Sequence, residues 1–356
     1  MPRTDFPSRR SSRREKVLLA AALLLTISLG VLSLMVGKYP LTPALLLAGD
    51  EQALRVFVTL RVPRTCMALL GGLGLGIAGG VFQTVFHNPL ASPDIIGVSS
   101  GASAGAAFGI LFLSPGLSPG GLFGLPGGLA HILSSGAVSV TLSAFLGGLL
   151  AVLLTLALGA LAPGKSSASI VLAGIAVHSL AQTLLMGLKL LADPERELAS
   201  VEYWLMGSLN GVSLHRLPAT LFIGLGCAGG IFLLYRQLLL LSLEESESRM
   251  LGVHVGRVRL LILLLATLLT ACVISNTGLI SFVGLLAPHT ARLLTGTGRP
   301  STLLLGGFAG SILLLGADLL ARSVSSGELP VSIFTSLLGA PFLIYLLVKS
   351  AHTPYR

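Results

Sequence analysis

The sequence predicts an all-α integral membrane protein with about ten transmembrane helices and both termini in the cytoplasm. Three observations point to this class. Charged residues make up only 10% of the 356 residues and hydrophobic residues 53%, whereas a soluble globular chain carries about 25% charged residues. The apolar residues fall in runs of roughly 20, the length that crosses a bilayer as a helix. Many of the 44 glycines lie inside these runs, as in membrane helices whose backbones pack closely.

The apolar runs form one predicted membrane domain, residues 17–349. A basic cytoplasmic tail, residues 1–16, precedes it and a short cytoplasmic tail, 350–356, follows it. The Gly- and Pro-rich stretch 114–134 is either a loop or a broken helix. The expected spans are 17–37, 64–86, 95–113, 135–160, 169–190, 218–235, 258–275, 280–296, 302–321 and 331–349.

The orientation follows from the distribution of basic residues. With the N-terminus inside, the cytoplasmic segments hold fifteen of the 23 Lys and Arg residues and the opposite side holds eight. Cytoplasmic loops of membrane proteins carry this excess. Six of the basic residues precede the first span, where they face anionic lipid. We therefore expect membrane lipid and no nucleic acid as a partner, and we place the hydrophilic loop 242–256 in the cytoplasm.

Two nucleotide-binding patterns occur in the sequence, and both are interpreted as accidental. Residues 159–166 fit a phosphate-binding loop, but they lie between two predicted membrane helices rather than between a strand and a helix. Residues 74–79 fit a dinucleotide-binding turn in the middle of a span. There Gly72, Gly76 and Gly80 recur every fourth residue, which predicts a helix-packing face. The sequence therefore predicts no nucleotide site in this chain.

No catalytic residue, metal site or cofactor is expected, because no group of His, Cys or acidic residues has the required spacing. The main intramembrane acid is Asp318, which is spaced to pair with Arg322 one helical turn later. A proton- or sodium-coupled carrier usually needs buried carboxylates. The sequence thus favours a non-enzymatic transport subunit energised by another protein. An ion-coupled secondary carrier and a membrane-embedded enzyme are the alternatives.

Several motifs together resemble one transporter family. They occur in the family order at 61–64 (RVPR), 86–101 (FHNPLASPDIIGVSSG), 204–209 (WLMGSL), 278–289 (GLISFVGLLAPH) and 317–342. The chain resembles the permeases of ABC importers for iron–siderophore complexes, haem and cobalamin. The resemblance implies a homodimer in the bacterial cytoplasmic (inner) membrane, two cytosolic ATP-binding subunits and an extracytoplasmic binding protein. An iron–siderophore complex is the expected cargo, with haem and cobalamin as alternatives.

The resemblance also implies functional residues on the outer face. Arg61, Arg64 and Arg322 match arginines that engage acidic residues of the binding protein in this family. Rim charges of this kind steer and orient docking. The alternatives are interfacial snorkelling of these side chains and, for Arg322, an ion pair with Asp318.

On the inner face, loop 242–256 resembles the coupling helix that fits into a cleft of the ATPase; from the residues alone, a solvated connector is the alternative. The matching residues are Glu245, Arg249, Leu251 and Gly252. The turns that match the inner gate contain Asn88, Leu90, Ser166 and Ser167.

Two further motif features are Trp204 and the Pro288-His289 pair. Trp204 is predicted to anchor the chain at the outer interface. The Pro288-His289 pair has no assigned chemical role: a proline in a span frees a backbone carbonyl, and the neighbouring His289 could satisfy it.

Overall fold

The computed structural model describes residues 9–113, 136–162, 167–243, 245–252, 254–296, 299–324 and 329–351, and within these ranges all regular structure is helical. A π-helical turn joins α3 to α4, another extends α5, and a 3₁₀ turn, Pro93–Ile96, precedes α5. The helices are α1 (Arg9–Met35), α2 (Pro43–Leu47), α3 (Glu51–Val56), α4 (Val62–Val85), α5 (Val98–Phe108), α6 (Gly136–Leu161), α7 (Ser167–Leu191), α8 (Glu197–Leu205), α9 (Leu217–Leu233), α10 (Tyr235–Leu240), α11 (Glu245–Met250), α12 (Val255–Thr277), α13 (Val283–Thr295), α14 (Pro300–Ser323) and α15 (Val331–Ala351).

A helix covers each of the ten expected spans, which confirms the all-α membrane class. Within the described ranges, six helices are long and apolar enough to cross a membrane: the helices that contain α1, α4, α6, α7, α12 and α14. Helices α5, α9 and α15 are apolar but shorter, and α13 has only 13 residues. The count of ten crossings and the cytoplasmic placement of both termini stay predictions. The stretch 114–134 lies outside the described residues.

The second predicted span is longer than expected, because α3 continues into α4 through the π turn Phe57–Arg61. Pro63 lacks an amide hydrogen, so the helix cannot keep a regular α pattern in the preceding turn. The amide of Val62 bonds instead to the carbonyl of Phe57, five residues earlier. The widened turn carries Arg61 at its end.

The glycine face of α4 packs directly on α14, as predicted. A Cβ on Gly72 would collide with the backbone of Gly310, and one on Gly76 with the carbonyl of Gly306. Gly80 faces the side chain of Leu303, which also belongs to α14. These contacts let the two backbones approach as closely as small-residue membrane crossings allow. The interpretation of 74–79 as helix packing is confirmed, and no dinucleotide turn exists there.

A second close crossing joins α5 to α6. A Cβ on Gly101 would collide with the carbonyl of Gly147, and one on Gly105 with the carbonyl of Ser143. Helix α6 continues through Gly159, the first residue of the phosphate-loop pattern, to Leu161. Because this pattern begins inside a helix rather than after a strand, it lacks the geometry of a phosphate loop; residues 163–166 lie outside the described ranges.

The segment that joins α4 to α5 turns back into the bundle. Its 3₁₀ turn packs against α7 and the start of α13. A Cβ on Gly174 of α7 would collide with the carbonyl of Ile95. A Cβ on Gly284, at the start of α13, would lie 3.4 Å from Pro93 and 3.3 Å from the carbonyl of Leu75, which is near the middle of α4. Helix α5 therefore starts between the ends of the longer helices rather than at one end of the bundle.

The motif at 204–209 forms a junction between helix ends. The amide of Ser208 donates to the carbonyl of Thr277 at 2.7 Å, and the amide of Val331 donates to the carbonyl of Gly207 at 3.1 Å. Gly207 and Gly278 both have positive φ, and a Cβ on Gly278 would lie 3.0 Å from the Cα of Gly207. Trp204 is half-buried within this packing; its anchoring role at the membrane interface stays a prediction.

Candidate functional site

The predicted outer arginines form part of a buried ion cluster. Nε of Arg64 lies 2.8 Å from Oδ1 of Asp318, and Nη2 of Arg322 lies 3.0 Å from Oδ2 of the same carboxylate. The Asp318 side chain is fully buried, and the two arginine side chains are 8% and 5% exposed. The expected Asp318–Arg322 pair is thus present, and Arg64 joins it from α4.

Arg322 also ties α14 to the end of α1. Its Nη1 donates to the carbonyls of Ser33 at 3.0 Å and Val36 at 3.1 Å, and its Nη2 donates to Oγ of Ser33 at 2.7 Å. Oγ of Ser33 shares a further hydrogen bond, 2.8 Å long, with Oγ1 of Thr65. The last carbonyls of a helix have no partner within it, and a cation there also complements the helix dipole. The cluster therefore links three helices at one end of the bundle.

Arg61 lies beside this cluster and donates to the carbonyl of Tyr39 at 3.1 Å. A cavity of about 460 Å³ opens next to it. The described lining contains no acidic residue and four basic ones: Lys38, Arg61, Arg64 and Arg322. The three predicted arginines are therefore brought together, but they line a cationic cavity as largely buried groups rather than projecting from the surface. Their docking role stays a prediction.

The predicted coupling element is the short helix α11 between α10 and α12. Ser248 is 1% exposed and its Oγ donates to the carbonyl of Leu240 at 2.6 Å, which attaches α11 to the membrane domain. Met250 and Leu251 follow on the outside, 87% and 61% exposed. Gly252 has φ of +80°, the left-handed conformation that ends helices. Glu245 and Arg249 lie on α11, but their side chains are outside the described part.

The first gate turn has a defined local structure. The side-chain Oδ1 of Asn88 accepts a hydrogen bond from the amide of Leu90 at 2.9 Å, and the Asn88 amide donates to the carbonyl of Gln83 at 3.2 Å. The Leu90 side chain is 52% exposed. Ser167, at the start of α7, donates to the carbonyl of Val85 at 3.4 Å. Ser166 lies outside the described residues. Ser167 thus lies next to the end of α4 that leads into the Asn88 turn, while gating itself stays a prediction.

The Pro288 motif is held by α4, and the suggested role of His289 is not what the geometry shows. Nε2 of Gln83 donates to the carbonyl of Leu285 at 3.0 Å, so an amide of α4 bonds to a carbonyl in the turn before the proline. The ring of His289 packs edge-on against Phe342, with 5.8 Å between ring centroids. The sequence analysis did not single out Gln83, whose side chain is 1% exposed. The signal that could have pointed to it is the presence of a glutamine in an apolar span.

Arg292 completes this inner region. Its Nη2 donates to Oγ1 of Thr84 at 2.7 Å and to the carbonyl of Gly80 at 3.3 Å. A cavity of about 340 Å³ lies beside it, lined also by Gln83, His87 and Tyr235. Arg292, one of the basic residues counted on the cytoplasmic side, thus connects α13 to α4.

Comparison with known proteins identifies the family to which this arrangement belongs. The model of the FecCD transport family matches residues 23–349. The chain belongs to the FecCD transport family. It is an ABC importer permease of that family, a class of transport subunit that is not itself an enzyme.

Relatives cover nearly the whole chain. The ferric enterobactin permease of Escherichia coli is 34% identical over 91% of this chain and 92% of its own length. The molybdate import permease of Haemophilus influenzae is 33% identical over 94% and 96% of the two chains. A metal-chelate type ABC transporter in an inward-facing conformation superposes with a TM-score of 0.81 at 33% identity, covering 94% of this chain and 99% of that one. The cargo named for these FecCD relatives therefore differs between them.

One acidic residue within this FecCD chain escaped the sequence-based search for intramembrane acids. Asp94 belongs to the 3₁₀ turn that packs against α7 and α13, whereas the expected spans leave it in the connection between the second and the third. Its Oδ1 accepts a hydrogen bond from Oγ of Ser99, and its Oδ2 accepts one from Oγ of Ser92 at 3.3 Å.

Proposed function

We propose that this chain forms the translocation path of an ATP-driven importer for an iron–siderophore complex, working as a homodimer in the bacterial inner membrane. Two cytosolic ATP-binding subunits and an extracytoplasmic binding protein complete the assembly. The observation that carries the proposal is the geometry of α11, a short helix attached to the membrane domain with apolar residues facing outward. Haem or cobalamin is the alternative cargo of the same architecture.

The argument for ATPase docking starts from the two sides of α11. Ser248 fastens the helix through one hydrogen bond to Leu240, while Met250 and Leu251 project from it. Adjacent exposed apolar side chains on a cytoplasmic loop have no lipid to cover them. Interfaces bury such residues at their centres, and each contributes about 1–2 kcal/mol on burial. A cleft on an ATP-binding subunit is the occupant that family membership supports.

The first experiment replaces Met250 and Leu251 with Ser and measures copurification of the cytosolic ATP-binding subunit. Loss of about 2–4 kcal/mol of apolar burial lowers the affinity about 30-fold or more. The matched control is Leu47→Ser, at an equally exposed leucine (89%) on the opposite side of the protein. Unchanged recovery of the ATP-binding subunit with the double variant would contradict the docking assignment.

The charged residues of α11 give a second test of the same element. Exchanging the charges of Glu245 and Arg249 is expected to uncouple ATP hydrolysis from uptake while leaving the membrane fold intact. The measurement is uptake and ATPase activity of the complete importer in the same vesicles. Uptake equal to that of the parent importer would count against the assignment of α11 as the coupling helix.

The cavity beside Arg61 is the proposed binding site for an acidic side chain of the binding protein. Arg61 is the position chosen for the test, because a change at Arg64 would also break its buried contact with Asp318. Arg61→Gln is expected to weaken docking most at low ionic strength, where charge steering is strongest. Lys189→Gln, at a partly exposed cation paired with Glu202, is the control. A loss that does not depend on salt would contradict the electrostatic role.

The cargo is tested through the binding protein. We expect the purified binding protein to retain a ferric chelate; retention of haem or cobalamin would select the alternative. A secondary carrier has less support, since the chain belongs to a family of ABC importer permeases. Ion-driven uptake by this chain alone in liposomes would overturn the ATP-driven assignment.

A further inference from the structure

Asp94 belongs to a turn that packs between helices, while its side chain is exposed. This turn, Pro93–Ile96, contacts Gly174 of α7 through Ile95, and Pro93 lies beside Gly284 of α13, which also faces Leu75 near the middle of α4. A Cβ on Gly97, which ends this turn, would lie 3.6 Å from the backbone nitrogen of His178 in α7. Helices α4 and α7 have the length of a full span. The carboxylate therefore lies between the ends of these helices rather than beyond them.

The described residues that line the cavity beside Asp94 include polar groups but no basic side chain. Its carboxylate accepts hydrogen bonds from Ser92 and Ser99. A cavity of about 270 Å³ adjoins it, with Thr270 and Ser281 also in its lining. No Lys, Arg or His is among the described lining residues of that cavity, and the Asp94 side chain itself is exposed. The charge is therefore solvated by hydroxyl groups and not neutralised by a basic residue there.

An exposed carboxylate between the ends of membrane-spanning helices is not expected to face hydrocarbon, because intramembrane charges line water-filled paths or pair with other groups. We propose that Asp94 lines the aqueous translocation path and gives it a negative potential that favours cargo with positive charge or exposed hydrogen-bond donors. The serine hydroxyls hold the carboxylate in place. In the homodimer proposed above, two copies of Asp94 face the same path.

This inference narrows the cargo, and it rests on the proposed function for the existence of a path between two copies. A chelate that carries an ammonium group is attracted by the charge of Asp94, and a neutral chelate with amide or hydroxyl donors can form hydrogen bonds to it. A bare oxyanion or a highly anionic catecholate chelate meets like charge in a region of low dielectric constant, where repulsion is stronger than in water. The chain is therefore suited to cationic or neutral chelates such as ferric hydroxamates.

The test measures the potential beside Asp94 without requiring transport. A Ser281→Cys reporter is placed in a chain whose three natural cysteines are replaced, within the complete importer in vesicles. Its reaction with a cationic and an anionic methanethiosulfonate is compared with the reaction of a free thiol. With Asp94 present, we expect the cationic reagent to be favoured about tenfold. Asp94→Asn should remove most of this preference, and Asp94→Glu should keep it.

Asp193→Asn is the matched control, since it removes an exposed carboxylate from the loop between α7 and α8, and it should leave the preference unchanged. A preference that persists in Asp94→Asn would overturn the proposal, as would a reporter that reacts with neither reagent in any nucleotide state. Uptake by the same vesicles reports separately on the proposed function. The cargo inference is overturned if Asp94→Asn changes equally the uptake of a ferric trihydroxamate with a free ammonium group and of its N-acetylated analogue.

Discussion

Removing the carboxylate of Asp318 is expected to destabilise the protein strongly, because it leaves two buried guanidinium groups close together. Arg322 keeps its bonds to Ser33 and Val36, so the cost falls mainly on Arg64, whose Nε loses its 2.8 Å contact. Breaking a buried ion pair by removing one partner costs about 3–5 kcal/mol. With an unfolding entropy of about 2.1 cal/mol/K per residue over 356 residues, Asp318→Ala should lower Tm by about 4–7 °C.

The assay is thermal unfolding of the purified protein in detergent. The control is Glu202→Ala, which breaks a salt bridge of the same 2.8 Å length to Lys189, where the side chains are 46% and 28% exposed; an exposed pair contributes about 0–1 kcal/mol. The double variant Arg64→Met with Asp318→Leu should recover at least half of the loss, because apolar replacements of a buried pair are often tolerated. Equal shifts for Asp318→Ala and Glu202→Ala would refute the reasoning.

Three further variants test the packing by the same thermal assay. Gly76→Ala should cost about 2 kcal/mol or more, because backbone atoms of α14 occupy the position of the new Cβ. Gly229→Ala is the control and should be neutral or stabilising, because no atom lies within 4 Å of its Cβ position. Equal effects of the two variants would contradict the close crossing of α4 and α14. Gln83→Leu should cost about 1 kcal/mol by removing the hydrogen bond from its amide to the carbonyl of Leu285, and no change in Tm would contradict a stabilising role for this contact. Gly207 and Gly49 both have positive φ, but a Cβ at Gly207 would also collide with a carbonyl. Gly207→Ala should therefore destabilise the protein more than Gly49→Ala. Similar losses would mean that the collision adds nothing to the strain of the positive φ.

The sequence predicted the helices well because membrane spans are set by length and apolarity, both of which are local properties. It also predicted the packing face of α4, since Gly72, Gly76 and Gly80 repeat at helical spacing. It could not predict the partner helix, because the complementary glycines of α14 are more than 200 residues away. The extension of the second span back to Glu51 was missed, since hydropathy treats Arg61 and Arg64 as a boundary, whereas buried acceptors compensate these charges.

The functional regions were less predictable because depth in the membrane is a tertiary property. Helix α13 has only 13 residues, fewer than a full crossing needs. It follows Phe282, and α5 follows Gly97; both residues have positive φ in turns within the bundle. A Cβ on Gly284, at the start of α13, would lie 3.4 Å from Pro93, shortly before α5. The two turns therefore lie side by side among the longer helices and bring polar loop residues, including Asp94, between them. Hydropathy assigns those residues to the surface.

The two ends of the bundle are held by different contacts, and this difference bears on which end opens. At one end, the Asp318 cluster joins α1, α4 and α14 through charged groups with little exposure. At the other end, Arg292 of α13 bonds to neutral acceptors of α4 beside a cavity of about 340 Å³. Local opening is easiest where buried contacts are few. We expect backbone amides of 86–91 to exchange hydrogen faster than those of 318–323, and ATPase binding to α11 to change only the former. Equal exchange at both ends would contradict this assignment of the moving region.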